Sequence, residues 1–163
     1  MEVSSGKPGG LPHNSQKALN FKSKGDAVVN KIEKIQPQDL PTPASAHSPA
    51  VSVPLPGADM IFVTGQVAVD ADDNIVAPND AKTQAIFVFE NIQKILAEAG
   101  ASLDDVVKVQ MFVTNIDDFA VVSSVRNQYL DKARPASTLF EVSALVEEGC
   151  VVEIEAIAVK LKN

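Results

Sequence analysis

The stretch NDAKTQAIFVFENIQKILAEAG, residues 79–100, decides the fold. Ala85, Phe89, Ile92, Leu96 and Ala99 recur at spacings of four, three, four and three, which lines one side of a helix with apolar groups. Asn79 or Asp80 can cap its start, because a short polar side chain accepts from the unpaired N–H groups of a first turn. Gly100 can end it in the left-handed conformation that glycine tolerates. A helix apolar on one side needs a single surface to lie on, and the segments around it read as that surface.

MIFVTGQVAV (60–69) is β-branched and aromatic, with Gly65 in its middle. A glycine inside a strand marks a bulge or a close backbone approach. SLDDVVKVQMFVTN (102–115) reads as a turn and a strand in which Val107, Val109, Met111 and Val113 share one face. DDFAVVSSVRNQYL (117–130) is a second one-sided helix, with Phe119, Val122, Val125 and Tyr129 as its stripe and two aspartates suited to its positive end. PASTLFEVSAL (135–145) and CVVEIEAIAVKL (150–161) are strands on either side of an EEG turn. Upstream, AVSVPL (50–55) reads as an edge strand, because Pro54 lacks a ladder donor, and NKIEKIQP (30–37) as a short first strand. The expected order is β-β-β-α-β-α-β-β. Two helices cover one face of such a sheet, so the other face, which also carries apolar residues, calls for packing against further copies of the chain.

PQDLPTPASAHSP (37–49) holds four prolines and reads as an extended arm. Residues 1–28 are rich in Gly, Ser, Pro and Lys without periodicity, as in a flexible tail or a cloning remnant, and residues 29–163 are taken as one domain. The 163 residues carry a formal net charge of −7, with all the excess acid beyond residue 48. An acidic domain repels a phosphate backbone, which argues against nucleic acid as a partner. No apolar run approaches the ~20 residues of a membrane helix, no secretory or transit signal is expected at the N-terminus, and the single cysteine, Cys150, rules out an internal disulfide. A cytoplasmic protein without a membrane partner is the expectation.

MIFVTGQVAVDADDNIV, NIQKILAEAG, LDDVVKVQMFVTNIDDFAVV, the RPA turn at Arg134 and VEIEAIAV together resemble the RidA/YjgF family of enamine/imine deaminases, across roughly residues 48–160. The resemblance implies an α+β, chorismate-mutase-like subunit with a mixed sheet and two helices on one face. It implies a homotrimer whose sheets form a central barrel, with small-molecule clefts between subunits. It implies hydrolysis of reactive 2-enamine or 2-imine acids to 2-keto acids and ammonia, with no cofactor and no metal.

Imine hydrolysis needs the substrate carboxylate held, a water deprotonated as it attacks, and a nitrogen that leaves protonated. An arginine meets the first demand best, through two parallel charge-assisted hydrogen bonds. In the family that arginine stands in a Pro-Ala-Arg-Ser motif; here the aligned residues are Pro135, Ala136, Ser137 and Thr138. A hydroxyl in place of a guanidinium forfeits on the order of 2–5 kcal/mol of anion binding. Arg134 lies across the proline on the wrong strand parity. Arg126 lies three residues beyond Ser123, the position of a family asparagine, and so on the same helical face.

The resemblance assigns the water to Glu153 and the Leu139 carbonyl. It assigns the cleft wall to Thr64 and Gly65, and an entrance tyrosine to the position of Ala50. Glu155 reads as structural and His47 as an exposed loop residue. Three functions follow: a deaminase of weak or altered activity, a non-catalytic or differently specific small-molecule-binding trimer, and, least favoured by charge, a ribonuclease or translation inhibitor.

Overall fold

Burial alternates along the strand Val152–Leu161. Val152, Ile154, Ala156 and Ala158 are buried, while Glu153, Glu155, Ile157 and Val159 are half-exposed. This strand is β6 of a six-stranded sheet in the computed structural model, which describes residues 31–162; the tail reading of residues 1–28 falls outside them. The elements are β1 (Glu33–Ile35), β2 (Ala50–Leu55), β3 (Ala58–Val67), α1 (Ala81–Glu98), β4 (Val106–Val113), α2 (Phe119–Leu130), β5 (Ala136–Glu141) and β6. That is the expected order. The sheet runs β1-β2-β3-β6-β4-β5, antiparallel except for the β4–β5 pair, which is parallel and needs α2 as its crossover.

Both helices lie on the side of the sheet that carries Ile61, Val63, Val109, Met111, Ile154 and Ala156. All six are buried, as are Phe89, Ile92, Ile95 and Leu96 of α1 and Val122 and Val125 of α2. The helices touch through Phe89 and Tyr129, whose rings stack at 5.1 Å. Asp80 caps α1, accepting from the Lys82 and Thr83 N–H groups, and Gly100 at φ +69° follows its end. The opposite side of the sheet has no cover among the described residues. It exposes Phe62 and Phe140 beside Val51, Phe112 and Ile157, with Lys108, Gln110, Glu153 and Glu155 between them.

Four local expectations are corrected. β2 is not an edge strand, since β1 pairs with it; β1 reaches only Ala50 to Ser52, so Pro54 still faces no partner on that side. Val106, not Val107, is the buried residue that opens β4. The register slips by one residue between Val106 and Lys108, and the bulged Val107 is 47% exposed. Phe119, expected in the apolar stripe, is 52% exposed at the first position of α2. β5 ends at Glu141 rather than continuing to Leu145.

A polar residue inside the α1 stripe ties these parts together. The Gln84 side chain is fully buried, and its amide nitrogen donates to the carbonyls of Gly149 (2.8 Å), Ala77 (3.1 Å) and Val76 (3.3 Å). Its oxygen accepts from the Val151 N–H at 2.7 Å. One side chain thus satisfies backbone groups of the loop before α1 and of the segment entering β6. The Gly149 and Ala77 carbonyls also accept from the Asn79 and Asp80 N–H groups, so removing the amide strands the Val76 carbonyl and the Val151 N–H, each worth about 1–3 kcal/mol. Gln84→Leu is expected to lower the unfolding free energy by roughly 2–4 kcal/mol. The check is the urea midpoint at unchanged m-value; a midpoint like that of the parent would mean that the amide is dispensable.

Candidate functional site

Two clusters gather the sequence-derived residues, and they lie on opposite sides of the sheet. The first is on the helix side. Ser137 pairs with buried Val109 in the parallel register, so its side chain points toward α2. There the Arg126 Nη1 donates to Ser137 Oγ at 3.0 Å. The same guanidinium donates from Nε (3.1 Å) and Nη2 (2.8 Å) to the Asn127 side-chain oxygen. One turn earlier on α2, Ser123 is 8% exposed, and its hydroxyl has no hydrogen-bond partner among the described residues. Arg134, at φ +46°, is engaged locally: its Nε donates to the Asp131 carbonyl at 3.1 Å and its Nη2 pairs with the Asp131 carboxylate at 3.6 Å. Arg126, Asn127, Asp131, Arg134 and Ser137 line a cleft of about 370 Å³.

The second cluster is on the open side. The register of β3 against β6 slips between Val63 and Gln66, so that Thr64 and Gly65 both stand opposite Glu155. The bulge brings the Gly65 backbone against the Glu153 carboxylate; a Cβ on Gly65 would lie 2.0 Å from Glu153 Oε1. Burial pushes the Glu153 carboxyl above its ordinary range, and the like charge of Glu155 on the same strand face adds to the shift. Thr64 is pinned to the proline-rich arm, its N–H donating to the Pro49 carbonyl (3.0 Å) and its hydroxyl to the Ser48 carbonyl (2.7 Å). Between that arm and β3 lies a second cleft of about 370 Å³, bordered by His47, Gly65, Gln66 and Asn91.

The remaining expected residues are dispersed. Thr138 faces the open side and accepts from the Lys108 ammonium at 2.7 Å. Leu139 is half-buried against the core on the helix side; β4 separates it from β6, two strand spacings or roughly 10 Å away. Ala50 is fully buried and stands at no entrance. His47 is exposed, its Nδ1 hydrogen-bonded to Ser45 Oγ at 2.8 Å. Within one chain, therefore, Ser137 and Arg126 meet, Glu153 and Gly65 meet, and the two pairs do not. Sequence reasoning missed Asn127 and Lys108. The first sits beside Arg126 at an exposed helical position, where an asparagine carries no signal of its own. The second needed the β4–β5 register. Among the described residues no group of His, Cys, Asp or Glu is arranged to hold a metal, and no helix is long and apolar enough to cross a membrane.

Comparison with known proteins places these clusters in context. A family profile described as Endoribonuclease L-PSP matches residues 38–160. A RutC family protein of Pyrococcus abyssi is 39% identical over 128 residues, spanning 78% of this chain and 97% of the relative. A bovine protein named 2-iminobutanoate/2-iminopropanoate deaminase is 34% identical over 134 residues, spanning 82% and 93%. The crystal structure of RidA from an Antarctic Psychrobacter species superposes with a TM-score of 0.66 at 36% identity, covering 77% of this chain and 98% of that one.

The contact between Gly65 and Glu153 is open to direct test. In Gly65→Ala the added methyl takes the place of the carboxylate, which must turn outward to water. The Glu153 pKa is then expected to fall back toward the ordinary 4.5, as read from its side-chain carboxyl carbon by NMR. A titration identical to that of the parent would mean that Gly65 does not hold the group.

Proposed function

The chain belongs to the RidA/YjgF family, and on that premise we propose that it hydrolyses small 2-imino or 2-enamino acids to 2-keto acids and ammonia. The observation that carries this reading is Glu153, a carboxylate pressed against the Gly65 backbone with its affinity for protons raised. A base of raised pKa removes a proton from water more readily at neutral pH than an ordinary carboxylate does. In the reaction Glu153 takes a proton from the attacking water as the oxygen bonds to the imine carbon. The proton passes to the nitrogen to give a carbinolamine; its hydroxyl proton then moves to the nitrogen as the carbon–oxygen double bond forms, the carbon–nitrogen bond breaks, and ammonia leaves. No redox partner enters the balance.

One chain supplies the pieces on two sides of a sheet, and the reading assembles them with a second copy. In a homotrimer with its open sheet faces turned inward, the Arg126–Ser137 cluster of one subunit meets the Glu153–Gly65 cluster of its neighbour, with the Leu139 carbonyl as the second water contact. The exposed Phe62 and Phe140 support such packing, since an apolar sheet face of this extent is otherwise left in water. A second reading, a small-molecule-binding trimer without turnover, is favoured by Ser137 at the position where the resemblance expects arginine.

Glu153→Gln is expected to lower kcat/KM on 2-iminobutanoate, generated in situ by a threonine dehydratase, by about 10²–10⁴-fold. The acid limb of the parent pH profile is expected above the ordinary glutamate value of 4.5, because activity requires the ionised form and both causes raise its pKa. Glu155→Gln removes the second cause and should move that limb to lower pH. Absent turnover in the parent, with a 2-keto acid still bound, would replace the deaminase by the binding trimer.

A further inference from the structure

We propose that Arg126 of α2 holds the ligand carboxylate in this chain, and that the site selects small 2-oxo and 2-imino monocarboxylates over dicarboxylates. The proposal rests on the deaminase reading for its choice of ligands; the anion site itself is argued from geometry. Both arginines of the sequence, Arg126 and Arg134, border the same cleft. They are not equivalent. The Arg134 charge is engaged by Asp131, whereas among the described residues the Arg126 guanidinium is oriented only by neutral acceptors, Asn127 Oδ1 and Ser137 Oγ. A guanidinium fixed by neutral groups keeps its whole charge for a ligand.

The donor inventory points the same way. A guanidinium has five N–H groups. Three are used, one from each nitrogen, and those on Nε and Nη2 converge on a single oxygen along one edge. Two N–H groups remain, and the Ser137 hydroxyl, acting as acceptor toward Arg126, still has its own proton to donate. A carboxylate seated there meets up to three donors and one full positive charge. The charge thus reaches the place of the missing strand arginine from the helix, across the β5–α2 contact.

The selectivity follows from the other wall. Asp131 follows directly on the C-terminal end of α2, where unpaired carbonyls already make the potential negative, and its carboxylate borders the cleft. One carboxylate can sit on Arg126. A second, extending toward Asp131, finds no free cation, because Arg134 is already paired with the Asp131 carboxylate.

The test is binding, measured by calorimetry on the full chain with stable probes: 2-oxobutanoate, its neutral amide and 2-oxoglutarate. Arg126→Ala is expected to weaken 2-oxobutanoate by roughly 30-fold or more while leaving the amide within about twofold. Arg126→Lys, which keeps the charge and loses the fork, should fall between parent and Arg126→Ala. Adding Ser137→Arg to Arg126→Ala should recover about tenfold or more, since it returns a guanidinium to the same place from the strand. The parent should prefer 2-oxobutanoate to 2-oxoglutarate, and Asp131→Asn should narrow that preference. The proposal is overturned if Arg126→Ala binds 2-oxobutanoate within about threefold of the parent, if the amide weakens equally, or if the parent binds no 2-oxobutanoate. Failure of the deaminase reading looks different: Arg126-dependent binding of 2-oxobutanoate persists, and no turnover is found in parent or Glu153→Gln.

Discussion

The buried amide of Gln84 is the constraint on which the arrangement depends. It lies in the first turn of α1, yet most of its partners belong to the loop before that helix and to the segment entering β6, more than sixty residues away in sequence. Backbone groups away from water must be paired, and here one side chain joins two loops whose only direct backbone bond to each other among the described residues runs from the Asn79 N–H to the Gly149 carbonyl. Glu153 follows Val151 by two residues. The position of that carboxylate is therefore set by a helix on the far side of the sheet, through a hydrogen bond of 2.7 Å to the backbone just before it. Packing of Phe89, Ile92 and Leu96 fixes where α1 lies; Gln84 converts that placement into the phase with which β6 enters the sheet.

Much of this was legible in the sequence, and the limits have physical reasons. Element order was legible because the 3.6-residue period of α1 and the runs of β-branched residues are strong signals. The inward face of β4 was misread at Val107 because alternation assumes an unbroken ladder, and the bulge adds one residue just there. The bulge at Gly65 was foreseen from the glycine itself, but its purpose was not, since Glu153 lies far along the chain. Gln84 was invisible: a glutamine beside an apolar stripe looks like a solvated residue until its partners are known. Arg126 was marked only by its spacing from Ser123. That it meets Ser137 follows from the parallel β4–β5 pair, which lays β5 beneath the helix joining them.

The sheet also explains why one chain holds only parts of a site. Ser137 and Glu153 belong to strands separated by β4, and their side chains leave opposite faces. No rotamer change brings them together. A chemistry that uses both must recruit a second sheet, and the uncovered face with Phe62, Phe112 and Phe140 is the surface on which such recruitment buries apolar area.

The two clusters differ in how far apart their members lie along the chain. Arg126 and Ser137 are eleven residues apart, within one crossover, whereas Gly65 and Glu153 are joined only when β3 and β6 pair across most of the domain. Closing the shorter loop costs less chain entropy, so the arginine–serine contact can form and survive locally, while the seat of the glutamate exists only in the complete sheet. Heat or denaturant that loosens β6 first should therefore leave a species that keeps the Arg126–Ser137 corner and has lost the seat of Glu153. Loss of the one cluster and loss of the other need not coincide along an unfolding curve.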